Sequence, residues 1–166
     1  IAVLLVRSGG GPGESEVFAM TLPSVAARSL DKAHPKLQRW FALAVAEMAK
    51  TGVRLLVTSG ARSLAQQAAL YAQGRTAPGK IVTNAPPGES PHNPGVSGFF
   101  FAIDVVPVVG GKAQWNDDAL WARVGGMVSS FQEGGLTWGG NFKNLSDKPH
   151  IEVTGWRTLR AAPQLV

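Results

Sequence analysis

Apolar positions recur at helical spacing once the chain passes His34. Leu37, Phe41, Leu43, Ala44, Ala46 and Met48 follow Pro35 and precede Gly52. Proline suits a first helical turn, where its missing N–H has no partner to lose, and glycine suits the stop. A helix is therefore expected between them. Val53–Thr58 (VRLLVT) reads as a compact buried strand ended by Ser59-Gly60. Ser63 then stands where a cap belongs, ahead of a second helix running through Leu70, Tyr71 and Gln73, with Gly74 at its C-terminal end. Thr76–Ser97 is rich in Pro, Gly, Asn and Ser and predicts a long irregular loop; loops of that length in a small domain usually serve function. Phe99–Val109 is strand-like and strongly apolar except at Asp104. Asp117–Phe131 predicts a third helix capped by Asn116 or Asp117, Gly134–Trp138 a short strand, and His150–Val153 a last strand before a short basic tail. Helices and strands mix without βαβ alternation, so the pattern predicts an α+β domain with a small, mainly antiparallel sheet flanked by helices.

The opening stretch reads differently. Ile1–Arg7 is a short apolar strand, Ser8–Gly13 (SGGGPG) a hinge, and a strand is expected around Val17–Leu22. Residues 1–25 are read as a linker or attachment arm to a larger phage or secreted assembly, and 26–166 as the functional domain. Ile1–Arg7 is too brief for a secretory signal and lacks its basic start and small-residue cleavage site.

Composition narrows the chemistry. The 166 residues are 45% hydrophobic and 16% charged, which excludes a disordered or fibrous chain. No window approaches the ~18 uninterrupted apolar residues of a membrane span. The chain has no Cys, so disulfides, thiolate nucleophiles and Cys-ligated metals are excluded, and any metal must sit on His, Asp or Glu. The net charge of +5 suits an anionic polymer such as a cell wall. Its Lys and Arg are scattered, without the basic run and interleaved aromatics of a nucleic-acid track, so no specific nucleic-acid partner is expected.

Three polar residues stand where apolar ones would pack better. Asp104 interrupts FFFAIDVVPVV, and a carboxylate there needs a cation or hydrogen-bond donors. His92 lies in the turn Ser90-Pro91-His92-Asn93-Pro94-Gly95, and His150 closes Asp147-Lys148-Pro149-His150. Two His and one Asp match the ligand set of a catalytic zinc site with a fourth position open to water. Asp147 would then be the general base. A buried ion pair or a loop-stabilising histidine suits the same residues, and spacing alone leaves these readings open.

Five segments in order carry a resemblance over Val53 to Val153. They are Ser59-Gly60-Ala61-Arg62-Ser63 with Gln67, Leu70-Tyr71 and Gly74-Arg75; Ser90 to Gly95; Ala102-Ile103-Asp104-Val105; Trp138-Gly139-Gly140-Asn141-Phe142; and Asp147 to His150. Together they resemble the zinc peptidases that include VanY-type D-alanyl-D-alanine carboxypeptidases and phage L-alanyl-D-glutamate endolysins. The resemblance implies a Hedgehog/D-Ala-D-Ala peptidase-like fold, zinc on His92, Asp104 and His150, and Asp147 as catalytic acid/base. It also implies that Arg62 orients substrate and stabilises developing negative charge, with Ser90, Gln67 and Trp138 as substrate-binding residues. The family pattern Ser-x-His-x-x-Gly-x-Ala-x-Asp is broken here by Val96-Ser97-Gly98-Phe99-Phe100. Such an insertion can bulge out and leave both ligands in place, with Phe99 and Phe100 expected near the substrate.

The implied activity is hydrolysis of peptidoglycan stem peptides at the cell wall, outside the cell, in the periplasm or after release at lysis. Asp-x-x-His in place of Glu-x-x-His, with the run Leu70–Asn84, favours the L-Ala–D-Glu bond over the terminal D-Ala–D-Ala bond. A non-catalytic wall-binding or phage structural module is the competing class, and retention of the ligands, Asp147 and Arg62 argues against it. Of the remaining groups, His34 reads as a helix-start residue, and Glu152 as either a support for His150 or an exposed carboxylate.

Overall fold

The computed structural model describes residues 30–143 and 146–162. The expected strands at Ile1–Arg7 and Val17–Leu22 and the hinge between them lie outside the described residues. Helix α1 (Pro35–Ala49) starts at the proline, and His34 caps it by accepting the Lys36 N–H through Nδ1 at 3.3 Å. Leu37, Trp40, Phe41, Ala44 and Met48 are buried, whereas Leu43 is 62% exposed. At ~100° per residue, a position six beyond Leu37 has turned to the far side of the helix, and one three beyond has not. Trp40 therefore takes the place in the core that the apolar reading gave to Leu43.

Strand β1 spans Arg54–Ser59 and helix α2 Leu64–Ala72. Ser63 and Gln66 form a capping box at the start of α2, each side chain satisfying the other's backbone N–H. Gly74 follows at φ 73°, and a Cβ there would meet the Ile81 nitrogen at 2.5 Å; only glycine suits both constraints. No named helix or strand interrupts the chain from there to β2 (Ala102–Val109). The two-residue strand β3 (Lys112–Ala113) and helix α3 (Asp118–Ser129) follow, the latter capped by Asp117. Strand β4 (Leu136–Trp138), a 3-10 turn (Gly139–Asn141) and β5 (His150–Val153) complete the sheet. Where the sequence suggested only a basic tail, helix α4 spans Trp156–Ala161.

The sheet runs β1-β2-β5-β4, with β3 pairing β2 and all pairs antiparallel. Its register places Asp104 beside both Ser59 of β1 and His150 of β5. Because side chains alternate across a strand, Ile103, Val105, Ile151 and Val153 join α1 and α3 in the core. Asp104, His150 and Glu152 consequently share the opposite face.

The inserted segment forms a small outward turn. Gly98 takes φ 78° and donates to Gly95, Gly95 donates to Phe99 at 2.8 Å, and Val96 is 72% exposed. The chain then re-enters the core at Phe100, which is 1% exposed, while Phe99 packs against the core and the His34 ring. Phe99 and Phe100 thus do not stand at the substrate rim as expected. Two consecutive large aromatics gain more by burial than a solvent-facing bulge would allow them.

Candidate metal centre

Three elements bring the polar residues together. Asp104 comes from β2, His150 from the start of β5, and His92 from the loop beneath them. That loop is fixed by the backbone: Arg62 N–H donates to the His92 carbonyl at 2.9 Å and Phe101 N–H to the Pro91 carbonyl at 2.7 Å. The Asn93 amide, fully buried, donates to the Arg62 carbonyl at 2.8 Å. His92 Nε2 lies 3.4 Å and His150 Nδ1 3.0 Å from the same Asp104 oxygen. One donor atom from each of the three residues lies within 4.8 Å of the others.

The second nitrogen of each imidazole is engaged elsewhere. His92 Nδ1 faces the Gly60 carbonyl at 2.8 Å, and His150 Nε2 faces Glu152 at 3.2 Å. Those partners orient the rings and leave His92 Nε2 and His150 Nδ1 toward the shared carboxylate, the arrangement that supports metal-ligating histidines. Donors ~2 Å from a tetrahedral ion stand about 3.3 Å apart, close to the two nitrogen–oxygen distances here. Nitrogen and carboxylate donors of this kind suit zinc, so the residues fit a metal.

Charge within the cluster is strongly coupled. Burial disfavours the Asp104 carboxylate, but hydrogen bonds from His150 and His92 overcome that and hold it well below the usual range. Burial likewise lowers His150, yet Asp104 and Glu152 on its two nitrogens push it up to about 9. Without a metal this imidazole is therefore a cation at neutral pH. At Asp147 burial is the dominant effect: desolvation raises its carboxyl, with His150 pulling down and Asp104 pushing further up. A raised carboxyl able to take and return a proton is what acid/base work requires.

Asp147 is placed by Gly139. Its N–H donates to the Gly139 carbonyl at 2.9 Å, and its carbonyl accepts from the His150 N–H at 3.1 Å. A Cβ on Gly139 would meet the Asp147 carbonyl at 2.5 Å and the His150 Cβ at 2.9 Å. The glycines of the Trp138-Gly139-Gly140 segment, given no role in the sequence reading, are thus a condition of the site. A paired glycine after a tryptophan was the available signal.

A cleft of about 440 Å³ contains His92, Asp104, Asp147 and His150 together with Arg62 and Ser90. Ser90 is buried, and its Oγ accepts from the His92 N–H at 3.3 Å. Gln67 and Trp138 are not among the residues lining it. Gln67 is fully buried, accepts from the Arg62 guanidinium at 2.9 Å and donates to the Ala85 carbonyl at 2.7 Å. It therefore holds Arg62 and the long loop. The Trp138 ring is closely approached by Gly125 of α3 and by Gly140, and its Nε1–H donates to the Lys148 carbonyl at 2.7 Å. It props the segment carrying Asp147 and His150 from behind.

Residues 83–153 match the family described as D-alanyl-D-alanine carboxypeptidase of the M15 peptidases. The peptidoglycan L-alanyl-D-glutamate endopeptidase CwlK of Bacillus subtilis (strain 168) is 34% identical over 128 residues, 72% of this chain and 72% of that protein. The crystal structure of the Serratia marcescens L-Ala D-Glu endopeptidase ChiX shares the fold. The TM-score is 0.56 at 24% identity, over 88% of this chain and 98% of that one.

Proposed function

The chain belongs to the M15 peptidase family, and from that premise we propose that it is a zinc-dependent endopeptidase cutting the L-Ala–D-Glu bond of peptidoglycan stem peptides. The observation that carries this reading is the convergence of His92 Nε2 and His150 Nδ1 on one Asp104 oxygen, beside a carboxyl of raised pKa. His92, Asp104 and His150 would hold the ion. A zinc ion held there would supply Lewis-acid polarisation of the scissile carbonyl and lower the pKa of a water. Asp147 takes a proton from the attacking water and returns it to the leaving amine as the bond breaks. Arg62, held by Gln67 and by Ser59 at 3.4 Å, presents a guanidinium of fixed orientation to the developing negative charge. Ser90 supports the His92 turn at the cleft wall. Residues 26–166 make up the peptidase domain and 1–25 a linker or attachment arm, and the enzyme works on the wall outside the cell, in the periplasm or after lysis.

Mass spectrometry of defined muropeptides tests the reading, using zinc-loaded protein with and without a chelator. A new N-terminal D-glutamate, abolished by chelation, is the expected product. Freed terminal D-alanine would instead favour the carboxypeptidase activity, the second reading, which rests on the family's own description. Intact muropeptide in every sample would leave only a non-catalytic wall-binding module.

A further inference from the structure

Charge within the cleft is unevenly committed. Asp104 and Glu152 serve the histidines, and Arg62 is tied to Gln67 and Ser59. Arg157 also lines this cleft, and among the described residues it forms no ion pair or hydrogen bond. Its guanidinium lies over the ring of Trp156, 4.5 Å from the centroid, and Trp156 is 4% exposed. Stacking on a buried ring confines an exposed arginine without using its N–H donors.

The backbone beneath Arg157 is bound to the ligand loop. Val96 N–H donates to the Arg160 carbonyl at 2.9 Å, and the Arg160 guanidinium donates to the Gly88 carbonyl. Gly95 is so close to α4 that a Cβ there would meet the Arg160 carbonyl at 2.6 Å. Helix α4 and the turn carrying His92 are therefore one packed unit, and Arg157 keeps a set position relative to the reacting centre. Asp147 and Glu89 line the same cleft, and a confined cation with free donors there suits a substrate carboxylate.

Resting on the endopeptidase reading above, we propose that Arg157 is a specificity residue that binds the free α-carboxylate of the D-glutamate on the amine side of the scissile bond. In peptidoglycan stems that D-glutamate is joined onward through its side-chain carboxyl, so its α-carboxylate remains free, one carbon from the nitrogen that leaves. Where it is converted to a carboxamide the charge is lost, and the guanidinium faces a neutral group that cannot form a charged fork. The enzyme accordingly prefers acidic stems to amidated ones.

Two soluble stem peptides differing only in that group, carboxylate against carboxamide, test this with the full zinc-loaded chain. Wild-type kcat/KM is expected to be about 10- to 100-fold higher on the acid, the range of a charge-assisted hydrogen bond. In Arg157→Gln the acid peptide should lose that factor mainly through KM, so that the ratio between peptides collapses toward one; Arg157→Lys should recover part of it. Calorimetric binding of both peptides to Asp147→Asn, alone and combined with Arg157→Gln, reads the same discrimination without bond cleavage. It thus separates a failure of this inference from a failure of the endopeptidase assignment. Equal loss on both peptides, or a ratio unchanged by Arg157→Gln in catalysis and binding alike, would overturn the proposal.

Discussion

Asp147 and His150 sit three positions apart in the chain, and both hold a proton more tightly than the free side chains do, Asp147 because it is desolvated and His150 because carboxylates flank its ring. Desolvation raises the Asp147 carboxyl, so Asp147→Asn should lower kcat by about 10²- to 10⁴-fold with metal content unchanged. Steady-state kinetics and elemental analysis of the same preparation check both halves. His150→Ala should instead lose the metal. His150 also sets a pH dependence in the metal-free protein. Its folded pKa of about 9 lies above the unfolded value of ~6.5, so the folded state binds the extra proton. The stabilisation is complete below ~6.5 and disappears as pH rises through about 9. Chelated protein should therefore lose Tm across this window. Zinc-loaded protein should not, because a ligating nitrogen has already given up its proton.

At the level of elements, the site depends on how closely the 3-10 turn packs beneath the segment entering β5. Gly139→Ala inserts a methyl against the Asp147 carbonyl and the His150 Cβ. It should cost about 1–3 kcal/mol of stability, as overpacking does, and reduce activity beyond what the stability loss explains; denaturant unfolding and kcat measured together would show it. Gln67 makes a comparable link at the other wall, from α2 to Arg62 and the long loop. Gln67→Leu, which keeps the volume but removes the side chain's hydrogen bonds to Arg62, Thr83 and Ala85, should lower kcat while leaving zinc affinity near wild type. A matching loss of zinc affinity would show that Gln67 instead supports the metal ligands. Helix starts were readable because caps are local: Ser63 with Gln66 and Asp117 with Leu120 need only a few adjacent residues. The short helix α4 was not, since it has no side-chain cap and its place is set by packing against the His92 turn.

Across the whole molecule, a +5 chain meeting an anionic wall gains encounter rate from long-range attraction that salt screens over about 8–10 Å. Clearing of intact sacculi should therefore slow as ionic strength rises from ~20 to ~200 mM, while cleavage of a short soluble stem peptide changes little; turbidity and chromatographic assays run in parallel distinguish the two. The sequence by itself determined the types and order of the chemical groups and most of the elements that carry them. Hydrophobic period, caps and the residue types of short motifs are properties of neighbouring residues. Only the tertiary structure decided that Trp138 and Gln67 lie outside the cleft lining, that Phe99 and Phe100 turn into the core, and that Arg157 lines the same cleft as His92, Asp104 and His150. Those outcomes depend on strand register and on contacts between segments far apart in the chain, where one residue's place is settled by the space its distant partners leave.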